Sequence, residues 1–233
     1  HRDLHLSIRR QRQMCIRDRF ISDAGFDEIT DDDLLWRVIP SESDSANGAL
    51  MWSNIYELNN LAVFYEDSAF GRSSERIFSA EYNPNSICAT LPYPSNPTDA
   101  QLESARDDAV NYGCENAVLL STDIDAARLI VKIKGVLPEA RIVTSHQSGY
   151  AEFPELMGPS VRNLALGVVG ANASVTWESP LQSGFDTDYD SRFGSAAPAH
   201  AGSAYDAMMI MAQASIQAGS STGADIQAAI PSV

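Results

Sequence analysis

Positive charge is what this chain has least of. Its 233 residues carry 16 Lys and Arg against 31 Asp and Glu, a formal net charge of −15. That excess argues against nucleic acid and anionic membranes as partners and suits a well-hydrated, soluble protein. No stretch approaches the roughly 20 apolar residues of a membrane-spanning helix. Beyond residue 19 the only histidines are His146 and His200, with no HExxH or comparable metal spacing. The aspartate-rich runs Asp31–Asp33 and Asp186–Asp190 lack the glycine and closing glutamate of a calcium loop, and read as solvated faces. No GxGxxG follows an apolar run, and neither GxxxxGK[ST] nor GxSxG occurs, so neither a nucleotide cofactor nor a hydrolase nucleophile is supported. The expectation is no cofactor, no metal and no catalytic residue.

Cysteine is also sparse: Cys15, Cys88 and Cys114. None sits in a CxxC or beside a histidine, which argues against thiol catalysis and zinc. Ser86–Thr90 and Ala117–Leu120 read as strands that could be neighbours. A Cys88–Cys114 disulfide is then open to an exported protein, and two buried free thiols are the alternative.

Residues 1–19 stand apart from the rest. His1–His5 back-translates as CAC CGA GAT CTA CAC, and Arg9–Asp18 as CGT CGG CAG CGT CAG ATG TGT ATA AGA GAC, which resembles a transposase-type sequencing adapter read in one frame. The alternative is a natural basic arm. The segment shows no apolar periodicity, and we expect it to lie outside the fold. It holds six arginines and two aspartates; without it residues 20–233 carry 10 basic and 29 acidic residues, net −19.

The most informative stretch is Leu61–Arg72. Leu61–Tyr65 is a short apolar run of the kind a strand buried on both faces needs. The polar turn Glu66-Asp67-Ser68 follows, and then a helical pattern with Phe70, Ile77 and Phe78. Strand, tight turn and helix are the unit of a doubly wound α/β sheet, whose ligands sit just beyond the carboxyl ends of the strands, here at Asp67–Gly71.

The unit recurs along the chain. Strands are expected at Leu34–Ile39, Leu61–Tyr65, Ser86–Leu91, Asn116–Ser121, Arg141–Ser145 and Leu164–Val169. Helices are expected at Ser41–Asn59 with a stripe of Leu50, Met51, Ile55 and Leu58, at Ser73–Ala80, at Asp99–Tyr112 capped by Thr98, and at Asp125–Lys134 capped by Thr122-Asp123. A short helix near Glu152–Met157, Phe185–Phe193 and Ser203–Gln217 complete the set, the last with Met208, Met211, Ala212 and Ile216 inward. The methionines Met208, Met209 and Met211 are taken as core. This alternation argues for a parallel sheet with right-handed crossovers.

From Phe20 onward the chain resembles the type I periplasmic solute-binding proteins, of the branched-chain amino-acid-binding type that serves ABC importers. Four blocks carry the resemblance. Ile21–Thr30 is similar to the family's Pro-Ala-Ala-Thr-x-Pro-x-Leu-Thr loop, and Trp36–Ser41 to its Phe-Arg-Thr-x-Pro-Ser strand end. Leu61–Arg72 is similar to Val-Ala-Val-Leu-Tyr-Glu-Asp-x-x-Tyr-Gly, and Phe185–Gly194 with Ala204–Ala207 to its late helix pair. The resemblance implies two doubly wound parallel-sheet lobes, the first incomplete. Residues 20–40 and 172–233 would belong to the first lobe and residues 41–171 to the second, with hinges near Ile39–Ser41 and Gly170–Ala173. It also implies that further strands and an export signal precede Phe20 and that closing strands follow Val233.

The function so implied is the extracytoplasmic substrate-binding component of an ABC importer. It would bind an amino acid or similar small polar solute in the cleft between lobes, closing about the hinges, with permease subunits as partners. The location implied is periplasmic, or extracellular and membrane-anchored. By the same resemblance the first lobe contributes the loop Ser22, Asp23, Ala24 and Gly25, although Gly25 lacks the hydroxyl that the family places there. Phe70 falls at an aromatic ring wall and Asp123 at a ligand-facing strand end. His146 falls where an acid often holds an ammonium group; as a histidine it suits a carboxylate or carbonyl, which leaves the ammonium to Asp123. The residues also have plainer uses: Phe70 as helix core, Asp123 as a helix cap, His146 as a loop residue. A sensor ectodomain of the same fold is an alternative function, and a doubly wound enzyme a remote one.

Overall fold

A computed structural model of the chain describes residues 19–21, 35–37, 42–145, 153–170, 180–197 and 201–233. The chain divides into two compact units, His1–Ile39 with Val175–Val233, and Pro40–Ser174. In the first unit strands β1 (Arg19–Ile21) and β2 (Leu35–Arg37) pair in parallel, Phe20 opposite Trp36.

The second unit is a three-layer α/β domain. Its elements are α1 (Glu42–Ile55), β3 (Leu61–Glu66), α2 (Ala69–Glu81), β4 (Ile87–Tyr93), α3 (Asp99–Asn111), β5 (Asn116–Leu120), α4 (Asp123–Val136), β6 (Ile142–Thr144), the short α5 (Phe153–Leu156) and β7 (Val169–Gly170). The five strands form one wholly parallel sheet in the order β4-β3-β5-β6-β7. Helices cover both faces, as the apolar run at Leu61 requires. Ala62 and Phe64 of β3 pack with Leu102 and Ala105 of α3 and with Leu129, Ile130 and Ile133 of α4. Leu61 and Val63 face the other way, onto Ala49 of α1 and Phe78 of α2.

Local chemistry sets most helix starts. Ser68 caps α2 by accepting from the Gly71 N–H at 3.2 Å, so the helix begins four residues before the expected Ser73. Thr98 caps α3 in a capping box with Gln101. Gly71 is required by a close approach: a Cβ there would collide with the Glu66 carbonyl, so only glycine lets α2 fold back onto the end of β3.

Several expectations are corrected. The residues that α1 buries are Ser45, Ala46, Ala49 and Ser53, not the expected stripe: Met51 and Ile55 are exposed, and of the four residues named only Leu58, beyond the helix, is buried. Small side chains at that spacing let α1 lie close against α2 and the sheet. The expected strand Leu164–Val169 is instead a 3₁₀ turn over Arg162–Ala165, with strand only at Val169–Gly170. Gly167, at φ +80°, interrupts the extended run, and Leu166 and Val168 donate to turn carbonyls rather than to a neighbouring strand. β4 runs through Pro92 to Tyr93, two residues further than expected, because it is an edge strand, where proline is tolerated.

Cys88 of β4 and Cys114 of the α3–β5 turn form a disulfide, Cα atoms 5.7 Å apart. The two strands are not neighbours, since β3 lies between them; the bond closes because Cys114 stands in the turn before β5.

The first unit also carries α6 (Pro180–Phe193), α7 (Ala201–Ala218) and α8 (Gly223–Ala229), the last not anticipated. Phe185 meets Tyr205 at a ring-centroid distance of 5.1 Å, joining α6 to α7. Asp225 accepts from the Ser220 and Thr222 hydroxyls at 2.6 Å each and secures the start of α8. The methionines are corrected too. Ala207 and Ala214, two turns apart, are the buried positions of α7, while Met208 is 66% and Ile216 81% exposed. An apolar helix has more than one candidate inner stripe, and here the alanine stripe is the one covered.

Gly71→Ala is expected to lower stability by about 2–3 kcal/mol through overpacking against the β3 carbonyl, read from urea unfolding. Replacing Cys88 and Cys114 by alanine together is expected to cost about 3 kcal/mol, the entropy of a freed loop of this length. A thermal melt unchanged by that double substitution would contradict the structural role of the bond.

Candidate functional site

At the carboxyl edge of the five-stranded sheet the residues that directly follow β3, β5 and β6 are polar. At the end of β3, Glu66 completes the strand and Asp67-Ser68 turn into α2. The Asp67 N–H donates to the Tyr93 carbonyl at 2.7 Å, pinning this turn to the end of β4. The Asp67 carboxylate pairs with Arg72 at 2.6 Å. Phe70 lies half-buried in the first turn of α2. Thus the strand–turn–helix legible in the sequence delivers Asp67, Ser68 and Phe70 to the edge.

At the end of β5 come Ser121, Thr122 and Asp123. α4 starts at Asp123, two residues earlier than expected, and its carboxylate accepts from the Ile124 N–H at 2.8 Å. Thr122 occupies the cap position without a side-chain hydrogen bond. At the end of β6 the buried Ser145 hydroxyl donates to the Ser121 carbonyl at 3.0 Å and its N–H to the Leu119 carbonyl, locking β5 to β6. β3 and β5 are adjacent in the sheet, so Phe70 and Asp123 stand beyond neighbouring strands on one edge. His146 and the loop Ser22, Asp23, Ala24 and Gly25 lie outside the described residues, as do most residues of the two expected hinges.

Beneath this edge lies a group of side chains that the sequence did not single out. Glu66 and Tyr93 are register partners across β3 and β4, each the last residue of its strand. Both are buried, and neither the Glu66 Oε2 nor the Tyr93 hydroxyl has a hydrogen-bond partner. Asp125 of α4 is buried nearby and pairs with Arg128 at 3.1 Å. Arg128 also reaches Asp99 at 3.0 Å, and Lys132 bridges Asp99 and Glu103, so α3 and α4 are tied by one chain of charges.

Burial governs the electrostatics here. It pushes the Tyr93 phenol well above its ordinary range; the nearby Ser121 hydroxyl and Arg128 pull it down in part, while the Asp125 and Glu66 charges push it further up. No hydrogen bond of normal geometry joins Tyr93 to Ser121. Burial likewise raises Asp125 above 3.8; Arg128 opposes the shift, and the Glu66 and Asp123 charges add to it. Asp99 is held low by hydrogen bonds from Arg128 and Lys132.

A signal for Glu66 was present in the sequence, and one for Tyr93 was not. Strand alternation puts Glu66 on the same side as Ala62 and Phe64, an inward charge at the end of an apolar run. Tyr93 was hidden by Pro92, which reads as the start of a loop. Among the described residues no group of three or more His, Cys, Asp or Glu is placed to hold a metal ion, and no helix is long and apolar enough to cross a membrane.

Because Asp125 titrates above its ordinary value, its ionisation opposes folding. The penalty is absent below about pH 3.8 and complete above the raised value. Arg128→Met should therefore cost about 2 kcal/mol at pH 7, where Asp125 is left as an unpaired charge, and clearly less near pH 4, where a proton replaces the guanidinium. Urea midpoints at the two pH values check this.

No protein-family model matches the chain, and no curated protein matches it in sequence. Solved structures do match. The branched-chain amino acid transporter substrate-binding protein LivJ from Streptococcus pneumoniae, in complex with isoleucine, aligns at TM-score 0.75 and 18% identity, covering 91% of this chain and 60% of that one. The leucine-binding protein LivK from Thermotoga maritima aligns at TM-score 0.70 and 15% identity, with 91% and 60% covered. A solute-binding protein of an ABC transporter from Rhodopseudomonas palustris, in complex with 3,4-dihydroxybenzoic acid, aligns at 0.72 and 19%, with 90% and 58% covered. The chain thus spans about three fifths of the length of these proteins. It has the fold of the type I periplasmic binding proteins, and these structural neighbours are solute-binding proteins rather than enzymes.

Proposed function

We propose that this chain is part of the substrate-binding component of an ABC importer, which takes up a small polar solute without altering it. The observation that carries this reading is the collection of polar groups at the carboxyl edge of a doubly wound sheet, where such folds hold their ligands. Phe70 supplies an apolar wall, and Asp123 a hydrogen-bonding group, on neighbouring strand ends. The resemblance adds Ser22, Asp23, Ala24, Gly25 and His146 to the site, hinges near residues 39–41 and 170–173 that close on the solute, and permease subunits as partners.

An extracytoplasmic location, periplasmic or on the outer face of the cell with a membrane anchor, is supported by the Cys88–Cys114 disulfide, a bond that persists in oxidising compartments. The acidic surface keeps such a protein soluble and off anionic lipid.

The full-length protein is expected to bind one solute per molecule and to return it unchanged, as calorimetry and mass spectrometry of the released solute would read. Phe70→Ala should weaken that binding about tenfold, the value of an aromatic wall at a small ligand. Unchanged affinity removes Phe70 from the site; turnover of the solute overturns the importer reading.

A further inference from the structure

One strand of the sheet carries a residue too many. Leu61 of β3 pairs with Ile87 of β4, and the next residue, Ala62, pairs with Ala89, so nothing on β3 opposes Cys88. Cys88 is the extra residue of a β-bulge, and β4 is an edge strand.

The bulge decides where the Cys88 side chain goes. Successive residues of a regular strand face opposite ways. Ile87 packs on the α1–α2 side of the sheet, but Cys88 and Ala89 both pack on the α3–α4 side. Counted back from Leu91 and Tyr93, which are buried on that side, plain alternation would turn Cys88 toward α1 and α2. Cys114 stands on the α3–α4 side. Gly113, at φ +75°, ends α3, and the Cys114 N–H donates to the Ala109 carbonyl at 3.0 Å, which seats Cys114 in that core. The disulfide therefore needs the bulge. A bulge leaves its extra residue outside the ladder, and here the disulfide is what that residue gains.

The two cysteines differ in access. Cys88 is half-buried on the edge of the sheet, and Cys114 is 3% exposed. A thiol from solution reaches Cys88 first.

We propose that Cys88 and Cys114 form a redox latch on β4. Oxidised, the bond holds the strand in its bulged register. Reduced, Cys88 swings to the α1–α2 side and takes the place opposite Leu61, and β4 runs with plain alternation. Ile87 leaves that place, and the Ser86 hydroxyl gives up the Asn59 side-chain oxygen, to which it donates at 2.8 Å. The shift stops there, because Leu91 and Tyr93 are buried and the Tyr93 carbonyl holds the Asp67 N–H at 2.7 Å. The latch works at the amino end of β4 and leaves the carboxyl edge in place. It makes the packing of the second unit follow its surroundings: locked where disulfides persist, loosened where thiols prevail.

The opening step is an exchange with a dithiol. Its thiolate bonds to the Cys88 sulfur, the Cys88–Cys114 bond breaks, and Cys114 leaves as a thiolate that takes a proton. The second thiol of the reductant, after losing its proton, displaces the Cys88 sulfur, which is protonated in turn. Two electrons pass to the protein, which then holds two thiols, and the dithiol becomes a disulfide.

The test uses the full-length protein under native conditions, with dithiothreitol as the dithiol and hydrogen exchange read by mass spectrometry. Exchange at residues 86–89 should rise at least about tenfold on reduction, with residues 91–93 and Asp67 unchanged. A second readout is the variant that lacks residue 88 and carries Cys114→Ala. Losing the extra residue restores plain alternation, so this variant should melt at or above the one carrying Cys88→Ala and Cys114→Ala. If dithiothreitol leaves the bond intact, or if exchange at residues 86–89 does not change on reduction, the proposal falls. If the variant without residue 88 melts well below the double alanine variant, the bulge belongs to the fold and not to the bond, and the proposal falls. If reduction unfolds the whole second unit, the bond is a general staple rather than a latch, and the proposal falls as well.

Discussion

Burial of β3 on both faces is the constraint from which the second unit is built. Leu61, Ala62, Val63 and Phe64 are covered in turn, first from one side and then from the other. A strand apolar on both faces needs a helical layer on each, and parallel neighbours need crossover helices to supply them. Once β3 lies between β4 and β5, the placement of α1 and α2 against one face and α3 and α4 against the other follows. Gly71 closes the first crossover by letting α2 press on the β3 carbonyl end, where any side chain would collide.

The same strand also ends the apolar core. Its alternation carries one step past Phe64 to Glu66, so the last inward position is a carboxylate instead of a methyl-rich side chain. Tyr93 does the same for β4 and Ser121 prolongs β5. The packed core thus passes into a polar layer under the edge within one residue of each strand. That layer has a chain of charges on its α3–α4 flank, from Asp125 through Arg128 and Asp99 to Lys132 and Glu103, and unsatisfied groups at its centre.

Much of the fold was legible in advance, for definite reasons. Helices α3 and α4 and strands β3 and β5 announce themselves by period, and Thr98 by its capping chemistry. Phe70 and Asp123 were legible as edge residues because the strand–turn–helix unit places whatever follows a strand. What failed was choosing among apolar stripes. The α1 helix buries serine and alanine and exposes Met51 and Ile55, and α7 exposes Met208 and Ile216. Both helices have periodic alternatives, and period alone does not rank them. Gly167 undid a strand that composition favoured, since a single left-handed residue outweighs several β-formers around it.

By itself the sequence determined the alternation of strands and helices, the acidic surface and the glycine at position 71. Each of these depends on local dihedral preference, hydrophobic period or a sum of charges, all of which a linear string contains. Only the tertiary structure decided that β3 separates β4 from β5, that Cys88 reaches Cys114 across that gap, and that Pro92 lies on an edge where β4 can pass through it. It alone brought Glu66, 27 residues before Tyr93 in the chain, into register beside it and set Asp125 near both. Such meetings depend on which strands pair and on how each helix lies on the sheet. Long-range packing sets those choices, and no local pattern encodes them.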